Sequence, residues 1–271
     1  MRSNQNHFPI ITNLTTHLKK MTNMKSPLIP IDIVSIYKNK LGDLVPLPKY
    51  MAVSTPDTHM AILNIAKDLA KKGGKLILSD LFRSYEMQAQ SHHDYIAGKK
   101  KAFSPAPGGS FHEAGRAFDM DLSAIKIPLA DFWVIAAKYG MQPIIAKSVA
   151  GKSESWHFDC HGSHQIVYDY YKEGKGKNFA PYTAAAASAI LSIGVHVDAF
   201  GANQQQAALQ SGLIRLGKKI GDIDGQVGQK THGALNELGV TFDLSKIGDM
   251  LIQVENMVQK KFPQEFTMPS A

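Results

Sequence analysis

Cysteine is almost missing: Cys160 is the one thiol in 271 residues. A single cysteine excludes an internal disulfide framework and gives no sign of an oxidising compartment. Long apolar runs are missing too. No stretch of about 18 apolar residues occurs, so no membrane-spanning helix is expected. The opening MRSNQNHFPIITNLTTHLKK has one early arginine but no continuous apolar segment of the kind a secretory signal needs. Acidic charge is in deficit, and the net charge is +7. That favours a polyanion, which could be nucleic acid, an anionic membrane or a bacterial wall carrying acidic polymers. The basic residues are dispersed, with Lys99–Lys101 the main cluster, and aromatics do not interleave with them. A nucleic-acid partner is therefore not expected.

What is present is enough apolar residue for a core: 44% hydrophobic against 20% charged. PIDIVSIYKNKLG (30–42) sets Ile33, Ile36, Tyr37 and Leu41 at helical spacing. In 54–75, Thr55, Pro56 and Asp57 open a helix with Met60, Leu63, Ile65, Ala66 and Leu69 inward, and Gly73–Gly74 stop it. KLILSDLF (75–82) reads as a strand, 84–98 as a helix and FSPAPGGS (103–110) as a loop. A strand over RAFDMDL, a helix from Pro128 and a short strand in ESWHFDC follow. Mixed elements without a βαβ repeat indicate an α+β fold. EGKGKNFAPYTAAAAS (173–188) reads as a linker, although AAAASAILS could begin a helix, with three helices of a small module after it. The expected organisation is an arm over 1–48, a first domain over 49–172, the linker, and a helical domain over 189–271.

The run GGSFHEAGRAFDMDL (108–122) holds His112, Glu113, Arg116, Asp119 and Asp121 beside Phe111, Phe118 and Met120. Burying that much charge is costly unless a partner charge or a metal offsets it. On a strand, Phe118, Met120 and Leu122 share one face and Asp119 and Asp121 the other. ESWHFD adds Glu154 and His157. His112, Asp119 and His157 make a reasonable ligand set for Zn²⁺ with a fourth position left for water, and Glu154 is placed to move protons. On a regular strand Glu154 and His157 would face opposite ways, so the scheme needs Glu154 in the preceding turn or a bulge between them. Taken alone, each imidazole could equally be a solvated side chain, and among eleven histidines some His/Asp pairs arise by chance. A rival set is His157 and His161 with Cys160 or His164, which Gly162 disfavours as a continuous helix.

Two motifs alter this balance. SFHEAGRAFD fits SxHxxGxAxD and ESWH fits ExWH, and FRSYEMQ (82–88) resembles the RS…Q segment of the same family. Together they resemble the zinc D-alanyl-D-alanine peptidases of the VanY-like M15 family, over roughly residues 50–165. The resemblance implies a small antiparallel sheet with flanking helices, the fold shared with the Hedgehog signalling domain. It makes His112, Asp119 and His157 the Zn²⁺ ligands and Glu154 the catalytic base. Arg83 becomes the residue that grips a substrate carboxylate or developing oxyanion, and Ser110 and Gln88 the accompanying substrate-side residues. The segment 209–235 resembles the three-helix peptidoglycan-binding domain, departing from it after Leu235.

The expectation is a zinc peptidase acting on peptidoglycan stem peptides, as a D-Ala-D-Ala carboxypeptidase or D,D-endopeptidase. Without a signal it would be made in the cytoplasm and reach the wall through a holin, as a phage endolysin, or through a secretion machine. An L-alanyl-D-glutamate endopeptidase, a zinc-bearing wall-binding module without turnover and an antibacterial effector are the alternatives.

Overall fold

The computed structural model describes residues 25–268. The first 24 residues of the expected arm lie outside the described residues, and 25–48 contribute to the sheets. Among the described residues eight short strands form: β1 (Ile29–Pro30), β2 (Val34–Lys38), β3 (Leu44–Pro46), β4 (Val53–Ser54), β5 (Leu78–Asp80), β6 (Ala117–Met120), β7 (Met141–Pro143) and β8 (His157–Cys160). β1 and β4 pair as a separate ribbon, and the others make one sheet in the order β3-β2-β5-β6-β8-β7. The sheet is mixed rather than wholly antiparallel, because β2 and β5 run parallel. A parallel pair needs a long crossover, and α1 (Pro56–Ala70) lies within it.

Where the sequence pattern indicated a helix over 30–42, the chain is extended. Ile31, Ile33 and Ser35 are buried, and Asp32, Val34 and Ile36 are exposed, a period of two. α1 also turns a slightly different face inward: Ile62, Ile65 and Leu69 are fully buried and Leu63 is exposed. α2 (Tyr85–Ile96) is capped by the Ser84 hydroxyl, which accepts from the Met87 N–H at 3.3 Å. α3 (Leu129–Lys138) packs with α1 over one side of the sheet. There Phe118, Met120, Phe158 and Cys160 enter an apolar core, with Phe132 edge-on to Phe158 at 5.0 Å between centroids.

The opposite side carries a second core. It runs from Phe111, Ala114 and Ala117 through α4 (Gln165–Lys172) and α5 (Pro181–Ser192) to α6 (Gln204–Arg215), α7 (Gln229–Glu237) and α8 (Ile247–Lys261). The expected linker is therefore in part a buried helix. Pro181 opens α5, and Ala184–Leu191 are all buried, because small side chains let it lie close against its neighbours. In the tail, buried Gln210 holds the IDG turn: its Oε1 accepts from the Asp224 and Gly225 N–H groups at 3.0 and 2.7 Å. Gly225 takes a positive φ of 73°, and a Cβ there would sit 2.7 Å from the Asn203 Cβ. Among the described residues no helix is long and apolar enough to cross a membrane.

Candidate metal centre and cavity

Three neighbouring strands bring one polar row together. Asp80 of β5 pairs with Asp119 of β6, which pairs with His157 of β8. Directly opposed residues on a sheet have Cβ atoms about 5 Å apart, so the ladder sets Asp119 against His157. The alternating residues Phe118 and Phe158 point to the apolar core and fix this register.

His112 arrives from a single 3₁₀ turn, Phe111–Ala114, just ahead of β6. The Ser110 hydroxyl accepts from the His112 N–H at 3.3 Å, and the Glu113 carboxylate accepts from the N–H groups of Gly108 and Ser110. This capping box explains the buried Glu113, whose carboxyl burial pushes up to about 7. Gly115 ends the turn at φ 63°, where a Cβ would lie 2.7 Å from the Leu28 Cδ2.

The three side chains converge. His112 Nε2 lies 3.2 Å from His157 Nδ1 and 3.4 Å from Asp119 Oδ1, and His157 Nδ1 lies 2.8 Å from the same oxygen. Each imidazole is held through its other nitrogen: His112 Nδ1 to the Leu81 carbonyl at 2.7 Å, and His157 Nε2 to Asp159 Oδ1 at 2.8 Å. These bonds orient both rings so that their remaining nitrogens meet at Asp119 Oδ1. Burial opposes charge on His157, but the Asp159 and Asp119 carboxylates outweigh it and raise its pKa well above the ordinary value. Burial likewise opposes charge on Asp119, and His112 and His157 outweigh it in the other direction.

The donor set fits Zn²⁺. Tetrahedral zinc at about 2.0–2.1 Å from nitrogen and oxygen ligands places those ligand atoms roughly 3.3 Å apart, close to the separations of this triangle. His161 and His164, members of the rival set, are engaged elsewhere. His161 Nδ1 meets Gln165 Oε1 at 2.7 Å, and His164 Nδ1 meets the Ser188 hydroxyl at 2.7 Å. Cys160 faces Arg116 in the core, and burial pushes its thiol up to about 12.

Glu154 stands in the turn before β8 rather than on the strand. Its φ is +67°, and its carbonyl accepts from the His157 N–H at 3.1 Å. A non-glycine residue in this region is strained, and the tight turn sustains it. The turn brings Glu154 into the cavity of about 770 Å³ that His112, Asp119 and His157 also line.

Arg83 lines the same cavity but is tightly held. Its Nε donates to Asp80 Oδ2 at 2.5 Å, Nη1 to Gln88 Oε1 at 3.2 Å and Nη2 to Asp119 Oδ2 at 3.3 Å. Asp119 thus offers one oxygen to the triangle and the other to Arg83. Gln88, expected on the substrate side, is fully buried and does not line the cavity. Its amide nitrogen donates to the Ser104 hydroxyl and the Pro105 carbonyl, so its contact is with Arg83 and the 103–110 loop. Ser110 both caps the 3₁₀ turn and lines the cavity. Asp121 caps the next turn through the Ser123 N–H.

Asp159 is the residue that the sequence reading passed over. It lies two positions beyond His157 on the same strand face, opposite the small Ala117, so the spacing contained its signal. The cavity wall formed by Gln165, Tyr168, Asp169, Lys172 and Tyr182 was also unforeseen.

Fold and site define a mixed α+β chain with a His–Asp–His group suited to a divalent metal. No family model matches the chain, and no curated protein matches it. Among solved structures it is similar to the LdcB LD-carboxypeptidase at 24% identity and a TM-score of 0.32, covering 49% of this chain and 84% of that one. It is similar to DacB from Streptococcus pneumoniae D39 at 24% identity and a TM-score of 0.32, covering 54% and 90%. With the vancomycin-resistance D,D-pentapeptidase VanY, in a mutant form complexed with Zn(II), identity is 16% and the TM-score 0.34, covering 56% and 96%.

Proposed function

We propose that the protein is a zinc-dependent peptidase that cuts peptidoglycan stem peptides at a D-Ala–D-Ala bond or a D,D cross-link, acting as a wall-lytic enzyme such as an endolysin. The observation that carries this reading is the His112–Asp119–His157 triangle with Glu154 turned into the same cavity. The SxHxxGxAxD and ExWH motifs support it, because each of their fixed residues has a physical task here. Gly115 makes the turn, Ala117 leaves room for Asp159, and Trp156 lines the cavity beside His157.

His112, Asp119 and His157 would hold the cation. Bound Zn²⁺ lowers the pKa of water to about 7 and polarises a carbonyl. Glu154 accepts the proton of the attacking water and returns it to the leaving amine. Arg83, kept charged by Asp80 and Asp119 against the opposing effect of its burial, steadies negative charge on the substrate. The tail, with its resemblance to peptidoglycan-binding helices, would keep the catalytic cavity near the wall. A module without turnover would have no use for a strained glutamate beside the metal ligands.

Mass spectrometry of purified peptidoglycan digested with and without chelator tests the reading. New fragments should appear only without chelator, and their masses identify the bond. Glu154→Gln should retain zinc by elemental analysis and lose about 10²–10⁴-fold in rate. Chelator-resistant digestion, or full turnover by that variant, would overturn the assignment.

A further inference from the structure

One wall of the cavity comes from α4, which lies beyond the motif-bearing segment. Gln165 and Asp169 are four residues apart on α4, so they stack along one helical face, and His161 comes from the turn ahead of the helix. They are also linked: His161 Nδ1 meets Gln165 Oε1 at 2.7 Å, and Gln165 Nε2 donates to Asp169 Oδ1 at 2.9 Å. Lys172 follows one turn after Asp169, with its Nζ 5.9 Å from the Tyr168 ring centroid. All five line the cavity that holds the metal triangle.

The helix beneath this face is fixed in place. Val167, Tyr170 and Tyr171 are buried. The Tyr170 hydroxyl accepts from the N–H groups of Ile220 and Gly221, and the Tyr171 hydroxyl from that of Ile223. Asp169 and Lys172 are thus presented on a rigid element, and neither joins an ion pair with another of the described residues. A carboxylate and an ammonium held one helical turn apart match a ligand centre that carries an ammonium and a carboxylate on one carbon.

We propose that Asp169 and Lys172 form a specificity subsite for a zwitterionic side-chain terminus on the peptide. The fitting substrate class is a stem peptide whose diamino acid ends in both a free amine and a free carboxylate, as diaminopimelate does. Asp169 takes the ammonium and Lys172 the carboxylate, with Tyr168 flanking the lysine. This rests on the peptidase reading above for the identity of the peptide. A lysine stem satisfies Asp169 only, and a side-chain-amidated diaminopimelate stem leaves Lys172 without a charged partner.

The test compares soluble stem peptides that differ only in this residue: diaminopimelate, its side-chain amide, and lysine. Wild-type, zinc-loaded protein should show kcat/KM about tenfold higher for the diaminopimelate peptide. Lys172→Gln should shrink that ratio and bring the free and amidated peptides level, whereas Asp169→Asn should lower kcat/KM for all three alike, because each carries the ammonium. Calorimetric binding of the corresponding tripeptides, which lack the scissile bond, reads the subsite independently of turnover. Preferential tripeptide binding without any chelator-sensitive cleavage would sink the peptidase reading and leave the subsite standing. Equal binding of all three tripeptides by the wild-type protein would overturn the subsite. So would a Lys172→Gln variant that weakens all three equally, since Lys172 would then read a carboxylate common to every stem.

Discussion

Asp159 shows how much of the site depends on a side chain that does not line the cavity. It is fully buried, and its Oδ1 fixes His157 through Nε2. Without it the imidazole can flip or change tautomer, and Nδ1 no longer points at Asp119. Asp159→Ala should therefore weaken zinc binding by about 10–100-fold, the usual cost of losing a carboxylate behind a ligating histidine. Competition with a chromophoric chelator measures this directly, and unchanged affinity would remove Asp159 from the site. Glu154 presents the complementary case. The sequence stated the conflict, since two residues three apart on one strand face opposite ways, and the positive φ of Glu154 resolves it. His112, Asp119, His157 and Glu154 were legible because their residue types are chemically unusual in an apolar run. Asp159 was not, because one more aspartate beside His157 looks like ordinary polar alternation. Gln88 was legible as a conspicuous position but not as a buried one, since its partners Ser104 and Pro105 come from a loop 16 and 17 residues away.

At the scale of elements, the sequence pattern identified the long helices and the site-bearing strands β5, β6 and β8, but read β2 as helical. β2 illustrates the reason. Its buried face carries Ser35, whose hydroxyl donates to the Val45 carbonyl at 2.8 Å, while apolar Val34 and Ile36 lie on the exposed side. A polar residue inside and apolar residues outside erase the alternation on which a strand reading depends. In α5 the helix was legible as an option but its burial was not: a run of alanines has almost no amphipathic signal, and only the packed neighbours show that every side of it is covered. α8 was plain from its spacing, yet it contains a titratable group whose state the pattern does not reveal. Burial pushes the Glu255 carboxyl from its ordinary 4.5 up to about 7, with Lys25 and Arg215 opposing. A folded pKa above the unfolded one means that its contribution is complete below about pH 4.5 and is lost as pH rises through 7. Glu255→Gln should match the wild type in thermal melts near pH 4.5 and exceed it at pH 8, by roughly 1–2 kcal/mol after allowing for partial solvation. A constant offset between the two melting curves across that range would contradict the assignment.

At the scale of the whole molecule, the tail and the half that carries the His112–Asp119–His157 triangle are joined by buried charge. Arg116, inside the SxHxxGxAxD motif, is fully buried and donates to Asp57 at the start of α1, with Glu265 at 3.5 Å. Glu265, from the turn after α8, also pairs with Arg215 of α6 and accepts from the Ser163 hydroxyl and N–H at 2.9 and 3.0 Å. One carboxylate thus compensates two guanidinium groups and caps the turn that leads into α4. The sequence displayed a polar, glycine-bearing stretch and a change of chemistry near residue 188, which reads as a tether between separable units. It could not display that Arg116, Ser163, Arg215 and Glu265 meet, because their contacts span 50 residues or more. Removing one member of a buried ion pair costs about 3–5 kcal/mol, because the partner charge stays behind without compensation. Glu265→Ala should lower the melting temperature by roughly 10 °C in a domain of this size, and chelator-sensitive cleavage of a soluble stem peptide should fail over the same temperature range. If the tail were an independent appendage, calorimetry would show two transitions, and only the one that leaves cleavage intact would move. A single transition that carries activity down with it is the result expected from a shared core and a shared carboxylate.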